Sequence, residues 1–230
     1  MISRALVLAE RIAPGAVAYA RRRRAQPLFG AVRKRIKGAG NRIVWGNSIL
    51  VRVRFDIVGS DNVVDIADGC TLRDVFFRIR GNGHRIAIGK ACRFNHGGTV
   101  WFEDSGCTLI VGEGSSFEEV GIAGNETGSK VEIGPDCMFA YDIDLRTGDS
   151  HSIVEAESGR RINPAKDVRI GEHVWIGAHS ILLKGVEIPD NCVVAGGSVV
   201  TKAFDEPGVI IAGNPAKVVR QGITWLRDRI

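Results

Sequence analysis

The chain has 230 residues, of which 44% are hydrophobic and 25% are charged, a balance that supports a buried core and argues against disorder. No apolar run approaches the roughly 20 residues of a bilayer-spanning helix, so we predict no transmembrane span. The net charge of +5 is unevenly placed, since residues 1–40 hold ten Arg or Lys and one Glu. That segment carries +9, and the remaining residues sum to −4.

The N-terminal segment, residues 1–40, is predicted to be basic and helical. Its cluster Arg21 to Arg24 follows the apolar part, whereas a signal peptide has its positive charges first, so we expect a cytoplasmic protein. The segment fits a solvated cap on the body of the protein, or a peripheral contact with an anionic membrane. Nucleic-acid binding is disfavoured because no aromatic residues alternate with the cations.

A repeated motif follows, with an aliphatic residue, three variable residues, a small residue or Val, any residue, and a large apolar residue. The motif begins at Ile66, Ile88, Val111, Ile133, Ile170 and Ile188. In the last part the period shortens to six, with aliphatic residues at Ile170, Ile176, Leu182, Ile188, Val194 and Val200. Helices do not repeat at six, whereas a six-residue side with three sides per coil gives a triangular prism of stacked parallel strands. We therefore predict an all-β prism over residues 41–203, with an inserted loop at about 146–167.

The cysteines occupy a shared place in this repeat. Cys70, Cys92, Cys137 and Cys192 all stand at the fifth, small position of the motif, where a thiol acts as a compact hydrophobic group. The chain has no CxxC pattern, and its total of five cysteines is odd. We expect buried free thiols in a reducing compartment, without disulfides or bound metal.

The C-terminal segment, residues 204–230, is predicted to be a loop followed by a capping helix. From Lys217 to Ile230 the apolar residues Val218, Val219, Ile223, Trp225 and Leu226 fit one face of a short amphipathic helix. Such a helix would cover the edge of the last coil.

From Ile133 to Arg220 the chain resembles the hexapeptide-repeat acetyltransferases, which are left-handed parallel β-helices. This family includes galactoside, maltose and nodulation-factor acetyltransferases and polysaccharide O-acetyltransferases. The resemblance is carried by IGEHVWIGAHSILLKGVEIPDNCVVAGGSVVTK (170–202) and AGNPAKVVR (212–220). It implies transfer of an acetyl group from acetyl-CoA to a sugar hydroxyl, in a homotrimer whose sites lie between subunits.

The chemistry requires a base, because an alcohol is too weakly acidic to attack a thioester unaided, and histidine is the usual choice. Of the five histidines, His151 stands at the mouth of the long interruption of the repeat. The resemblance places the catalytic histidine there, 20 residues before Gly171. Asp149 and Glu155 are the nearby acids that could orient its ring, and the sequence does not choose between them.

The resemblance also implies an acyl and CoA site. It places a backbone donor for the oxyanion at Ala178, after Gly177. Further residues resemble those that hold the pantetheine arm and the phosphates of CoA, namely Gly196, Gly197, Ser198, Thr201, Lys202, Lys217 and Arg220. Weaker candidates for contact with the acceptor are Asp142, Asp144, Arg146, Asp149, Glu155 and Trp175, and Trp175 equally fits packing between subunits.

Three alternatives remain at this point. N-acylation of an amino sugar would use the same base, thioester and fold, although the RTGDSHSI and RINPAKDV segments favour oxygen as the acceptor. A zinc enzyme would need three or four convergent ligands, whereas His173 and His179 stand six residues apart and are predicted to point to different corners. A scaffold without catalysis would bind no CoA.

Overall fold

A computed structural model describes residues 30–230, which form 24 β-strands and no helix. Helices long and apolar enough to cross a membrane are accordingly missing from this range. In chain order the strands are β1 Arg33–Lys37, β2 Arg42–Val44, β3 Ile49–Val51, β4 Arg54–Val58, β5 Val63–Ile66, β6 Thr71–Arg73, β7 Val75–Arg80, β8 Arg85–Ile88, β9 Arg93–Phe94, β10 Gly98–Phe102, β11 Thr108–Val111, β12 Ser116–Phe117, β13 Val120–Gly124, β14 Lys130–Ile133, β15 Met138–Phe139, β16 Ile143–Arg146, β17 Val168–Ile170, β18 Trp175–Ile176, β19 Ile181–Leu182, β20 Glu187–Ile188, β21 Val193–Val194, β22 Val199–Val200, β23 Ile210–Gly213 and β24 Ala216–Arg220.

Up to β22, every third strand belongs to the same sheet, so the chain winds as a parallel β-helix. The first sheet has the order β1-β4-β7-β10-β13-β16-β19-β22, and the second has β2-β5-β8-β11-β14-β17-β20. The third sheet has the order β3-β6-β9-β12-β15-β18-β21-β23-β24. All neighbours pair in parallel except β23 and β24. The predicted prism with three sides per coil is confirmed.

The interior of the prism is a stack of side chains contributed by equivalent positions of successive coils. Within the third sheet, Phe94, Phe117 and Phe139 are in register and fully buried. The ring centroids of Phe94 and Phe117 lie 4.4 Å apart, and those of Phe117 and Phe139 lie 4.7 Å apart. The large apolar residue that ends each sequence motif therefore packs on its counterparts above and below.

The cysteines are buried and free, as their place in the motif predicts. Cys70, Cys92, Cys137 and Cys192 are exposed to 1% or less, and Cys107 shares this interior. Burial raises the pKa of the Cys137 thiol to about 11, so that thiol stays protonated and neutral at physiological pH.

The C-terminal helix predicted for residues 217–230 is wrong. Ala216–Arg220 is strand β24, which pairs antiparallel with β23. The β-branched Val218 and Val219 suit a strand, and Gly222, with a φ of 67°, interrupts any helix through this segment. The final residues return along the third sheet, where Trp225 is 5% exposed and stacks on His173 with centroids 4.1 Å apart.

The N-terminal segment also differs from its prediction where the structure describes it. Arg33–Lys37 is a strand and not a helix, and its register with β4 places the start of the prism before residue 41. Its alternating side chains satisfy the two-residue period of a sheet, with Ile36 next to the buried Ile57. Residues 1–29, with the arginine cluster 21–24 and the proposed membrane contact, lie outside the described residues.

Candidate active site

The inserted segment, residues 147–167, leaves the prism at the corner between β16 of the first sheet and β17 of the second. Its outer part folds back as a hairpin, in which Glu155 N–H donates to the Arg160 carbonyl at 2.9 Å and Ile162 N–H donates to the Ile153 carbonyl at 2.9 Å. His151 lies at the base of this hairpin and is exposed. Its ring makes no hydrogen bond within residues 30–230.

Asn163 holds the base of the inserted segment together. Its buried amide donates to the His151 carbonyl at 2.8 Å and to the Asp149 carboxylate at 2.8 Å. Its side-chain oxygen accepts from Ile153 N–H at 2.7 Å. One side chain thus connects the arm that carries His151 to the arm that returns to the prism.

Two ion pairs fix this segment to neighbouring coils. Arg161 binds Glu126 with both terminal guanidinium nitrogens, and Lys184 donates to the Asp149 carboxylate at 2.6 Å and to the Asn163 carbonyl at 3.0 Å. The Lys184 ammonium and the Asn163 amide hold the pKa of the Asp149 carboxyl below its usual range. The Arg161 guanidinium likewise holds the pKa of Glu126 down.

Neither acid that the sequence offered as a partner for His151 contacts the His151 ring in the single chain. Asp149 is bound by Lys184 and Asn163, and Glu155 accepts from Ser158 and Arg160. The bracing by Asn163 and Lys184 was missed from the sequence. Asn163 stands in the RINPAKDV segment already singled out, whereas Lys184 follows a regular aliphatic position and has no distinguishing signal.

The predicted acyl and CoA residues gather at another corner, between the third and first sheets. Gly177 and Ala178 follow β18, and Gly196 and Gly197 follow β21 directly beyond them. A Cβ on Gly177 would lie 2.5 Å from the Gly196 nitrogen, so only glycine permits this approach of the two coils. Ser198 is buried, and its hydroxyl donates to the Ala195 carbonyl at 2.6 Å, so it stabilises the corner.

The Ala178 N–H donates to no acceptor within residues 30–230, and the same holds for the equivalent Gly196 N–H of the next coil, whereas Gly177 N–H donates to the Val194 carbonyl at 2.8 Å. A Cβ built on Gly196 would lie 3.7 Å from the Ala178 nitrogen. The same Cβ would lie 3.1 Å from the Ala178 oxygen, so glycine at position 196 lets the two coils approach closely here.

The predicted cations lie beyond this corner, towards the C-terminal end of the prism. Thr201 and Lys202 follow β22 and are exposed, with the Lys202 ammonium 5.5 Å from the Phe204 ring centroid. Lys217 and Arg220 are exposed on β24. These side chains could meet the phosphates of a nucleotide from solvent without rearrangement of the core.

The acceptor candidates are divided between the first sheet and the corners that border it. Asp144 and Arg146 form an ion pair on the outer face of β16. Asp142 lies at the corner beside Ala178 and accepts from the His179 ring at 2.9 Å, if that nitrogen carries its proton. Trp175 is 37% exposed on β18, and its centroid lies 6.2 Å from that of Trp225.

The topology does not bring His151 and Ala178 to one corner of one chain. The inserted segment stands where the first sheet meets the second, and Ala178 stands where the third meets the first. The outer face of the first sheet lies between them, since β16 and β19 are direct neighbours. In the single chain the two groups therefore lie at opposite edges of the first sheet.

Comparison with known proteins agrees with this architecture. The family described as "Hexapeptide repeat of succinyl-transferase" matches residues 167–202. The polysialic acid O-acetyltransferase of Neisseria meningitidis is 37% identical over 192 residues, which cover 83% of this chain and 88% of that protein. The crystal structure of the polysialic acid O-acetyltransferase OatWY superposes with a TM-score of 0.81 and 33% identity, over 87% of this chain and 93% of that one. For the polySia-specific acetyltransferase NeuO, the TM-score is 0.77 with 30% identity, over 86% and 89% of the two chains.

The parallel coils and the buried hexapeptide positions are thus those of a hexapeptide-repeat acetyltransferase. Because the relatives match over nearly their whole length, the chain belongs to the sugar O-acetyltransferases of this class, the family that contains the polysialic acid O-acetyltransferases.

Proposed function

We propose that the protein transfers the acetyl group of acetyl-CoA to a hydroxyl of a polysaccharide of the polysialic acid kind, with His151 as general base. The observation that carries the proposal is the unoccupied ring of His151 on a segment braced by Asn163 and Lys184. A base that must accept a proton from a substrate needs a free nitrogen at a fixed place.

The reaction is a direct transfer. The acceptor oxygen attacks the thioester carbonyl as His151 takes the hydroxyl proton, the C–O ester bond forms, and the C–S bond breaks. The CoA thiolate leaves and receives a proton from the histidine, which restores the base. The negative charge on the carbonyl oxygen is stabilised by the Ala178 N–H, which has no other acceptor in the described part of the chain.

The separation of the two groups supports an assembly of several copies. His151 lies at one corner of the prism and Ala178 at another. The site is complete when the inserted segment of one copy reaches Ala178 of its neighbour, at the corner between the third and first sheets. We propose a homotrimer with three such sites, because a ring of copies uses both corners of every chain. Light scattering tests the mass of the assembly.

Release of free CoA thiol tests the activity. The native protein is incubated with acetyl-CoA and, separately, with polysialic acid, neutral oligosaccharides and amino sugars. Thiol release driven by polysialic acid supports the proposal, and release driven only by amino sugars would favour N-acylation. A protein that binds no CoA would overturn the enzymatic assignment of these residues.

Replacing Asn163 with alanine should lower kcat by about ten- to a hundredfold, because misplacing a catalytic group by about 1 Å can cost 10²-fold. The variant loses the amide contacts to Asp149 and to the His151 carbonyl, while the corner that carries Ala178 and Gly196 is unchanged. Steady-state kinetics should therefore show an unchanged KM for acetyl-CoA. Hydrogen exchange should become faster in residues 148–163 and stay constant in the coils.

Replacing Gly196 with alanine should lower kcat/KM for acetyl-CoA by about tenfold, less than the 10²–10³-fold that removal of an oxyanion donor costs. The new Cβ would lie 3.1 Å from the Ala178 oxygen and 3.7 Å from its nitrogen, so it crowds the carbonyl of the thioester. Binding of CoA without an acetyl group serves as the control and should weaken less. Unchanged kinetics would remove Ala178 from the acyl site.

A further inference from the structure

The outer face of the first sheet is strongly basic over its first three strands. Alternation along β1, β4 and β7 turns every second side chain outwards. The outward residues include six cations and one carboxylate, which are Arg33, Arg35, Lys37, Arg54, Arg78, Arg80 and Asp56. We call this surface the basic face.

The basic face is not a general property of the prism. The outward positions of the second sheet carry four cations and three carboxylates, namely Arg42, Arg85, Lys130, Arg169, Asp65, Glu132 and Glu187. Several of these are paired with one another, as Arg169 is with Glu132 and Glu187. On the basic face Asp56 neutralises one cation, Arg80 at 2.8 Å, and leaves the others in excess.

Aromatic rings lie among these cations. The Arg54 guanidinium lies 3.8 Å from the centroid of the Phe76 ring, and the Arg78 guanidinium lies 5.4 Å from that of Trp101. Flat rings pack against the C–H faces of pyranose sugars, and the fork of an arginine binds a carboxylate through two parallel hydrogen bonds. The combination suits a sugar chain that carries carboxylates.

A groove makes this surface accessible. Arg33, Arg54, Phe76 and Arg78 line a cavity of about 590 Å³. A second cavity of about 410 Å³ shares Arg54 and Phe76 with the first and extends to Asp142 beside the acyl corner. Carboxylates of Asp74, Glu119 and Asp142 also line the second cavity, so the cations are concentrated in the first.

Strand register connects the basic face with the proposed active site. Arg78, Trp101, Ala123 and Arg146 are successive partners across β7, β10, β13 and β16, and Arg146 directly precedes the inserted segment. Five steps of about 4.8 Å place β1 about 24 Å from β16, a distance that spans several sugar units. Along this row the Trp101 Nε1 and Arg146 Nε atoms are shielded from water and have no acceptor within residues 30–230.

From these contacts we infer that the basic face is a binding track for a carboxylate-bearing polysaccharide, which holds the acceptor chain at a distance while one of its sugars reacts at His151. The inference rests on the proposed acetyl transfer for its biological use, but not for the binding itself. Arg54 and Arg78 bind carboxylates of successive units, and Phe76 and Trp101 pack against sugar rings.

The test compares two double variants of the full chain with equal loss of charge. Arg54→Gln with Arg78→Gln removes the centre of the basic face, and Arg73→Gln with Arg93→Gln removes two exposed arginines from the third sheet of the same coils. Binding is measured without acetyl-CoA, against immobilised polysialic acid, polygalacturonic acid and neutral dextran, and against duplex DNA and anionic vesicles. Thiol release is then measured with long polysialic acid and with a sialic acid dimer.

The basic-face variant should bind both carboxylated polymers about tenfold more weakly, a loss of about 1.4 kcal/mol in binding free energy. It should raise KM for long polysialic acid to the same extent, and leave KM for the dimer and for acetyl-CoA unchanged. The third-sheet variant should behave as the native protein, and dextran should bind to none.

Several results would overturn the inference. Equal losses in the two variants would show a general charge effect, and tighter binding of duplex DNA or anionic vesicles than of the carboxylated polymers would assign the face to another partner. A change in assembly mass in the basic-face variant would make it a contact between copies. Absence of turnover with intact polymer binding would refute the proposed function alone.

Discussion

Replacing His151 with alanine is expected to lower kcat by about a hundred- to ten-thousandfold, the contribution of a positioned general base. The ring makes no hydrogen bond with the described part of the chain, and Asn163 binds the His151 backbone carbonyl, so removal of the ring leaves the bracing by Asn163 in place. KM for acetyl-CoA and the thermal midpoint should both stay constant. Thiol release under saturating acceptor measures kcat, and calorimetry measures the binding of CoA separately.

The matched control is Glu157→Gln, which changes an exposed side chain at the tip of the same hairpin. It should retain native kcat. If His151→Ala keeps most of its activity, the proton is taken elsewhere, and the remaining exposed histidine near the acyl corner, His179, becomes the next candidate.

Replacing Phe117 with alanine is expected to destabilise the fold by about 3–5 kcal/mol, the usual cost of removing a buried aromatic ring. Phe117 packs between Phe94 and Phe139, so its removal leaves both neighbours without a stacking partner. For a chain of this length the thermal midpoint should fall by roughly 6–20 °C. Differential scanning calorimetry measures the shift.

The control for this prediction is Ile110→Ala on β11, whose side chain is 43% exposed on the outside of the second sheet. It should shift the midpoint by much less. A similar shift in both variants would mean that the aromatic stack adds little beyond ordinary burial.

The prism could be predicted from the sequence because its rule is local and repeated. The residue types of each motif indicate which positions point inwards. Cys137 and Phe139, which the pattern places inside, are both buried. The interruption before Ile170 likewise locates the inserted segment. These features depend on the alternation of residues within one side of a coil.

The ends of the prism could not be predicted in the same way. Val218, Val219 and Trp225 fit a helical face in the sequence, but β23 offers Ala216–Arg220 a sheet edge that no local pattern reveals. The sequence predicts Arg33–Lys37 as part of a basic helix, whereas pairing with β4 makes it a strand. Strand pairing that forms only when the coils stack overrides a weak local preference for helix.

The same reason hides the basic face and the bracing of the site. More than twenty residues separate each of the arginines Arg33, Arg54 and Arg78 from the next. They become close only because each coil returns the chain to the same sheet. Lys184 and Asp149 are separated by 35 residues. In a solenoid, the number of residues per coil decides which side chains come together on one surface.

The reversal at β24 has a consequence for solubility. A stack of parallel coils has an end that can in principle accept another coil, and two such ends on separate molecules could join into a growing fibre. Because β24 runs antiparallel to β23, it presents the third sheet's end in the wrong direction for a further parallel coil. Its exposed Lys217 and Arg220 add like charges that repel a second copy. One reversed strand thus closes the C-terminal end of the third sheet to a further parallel coil.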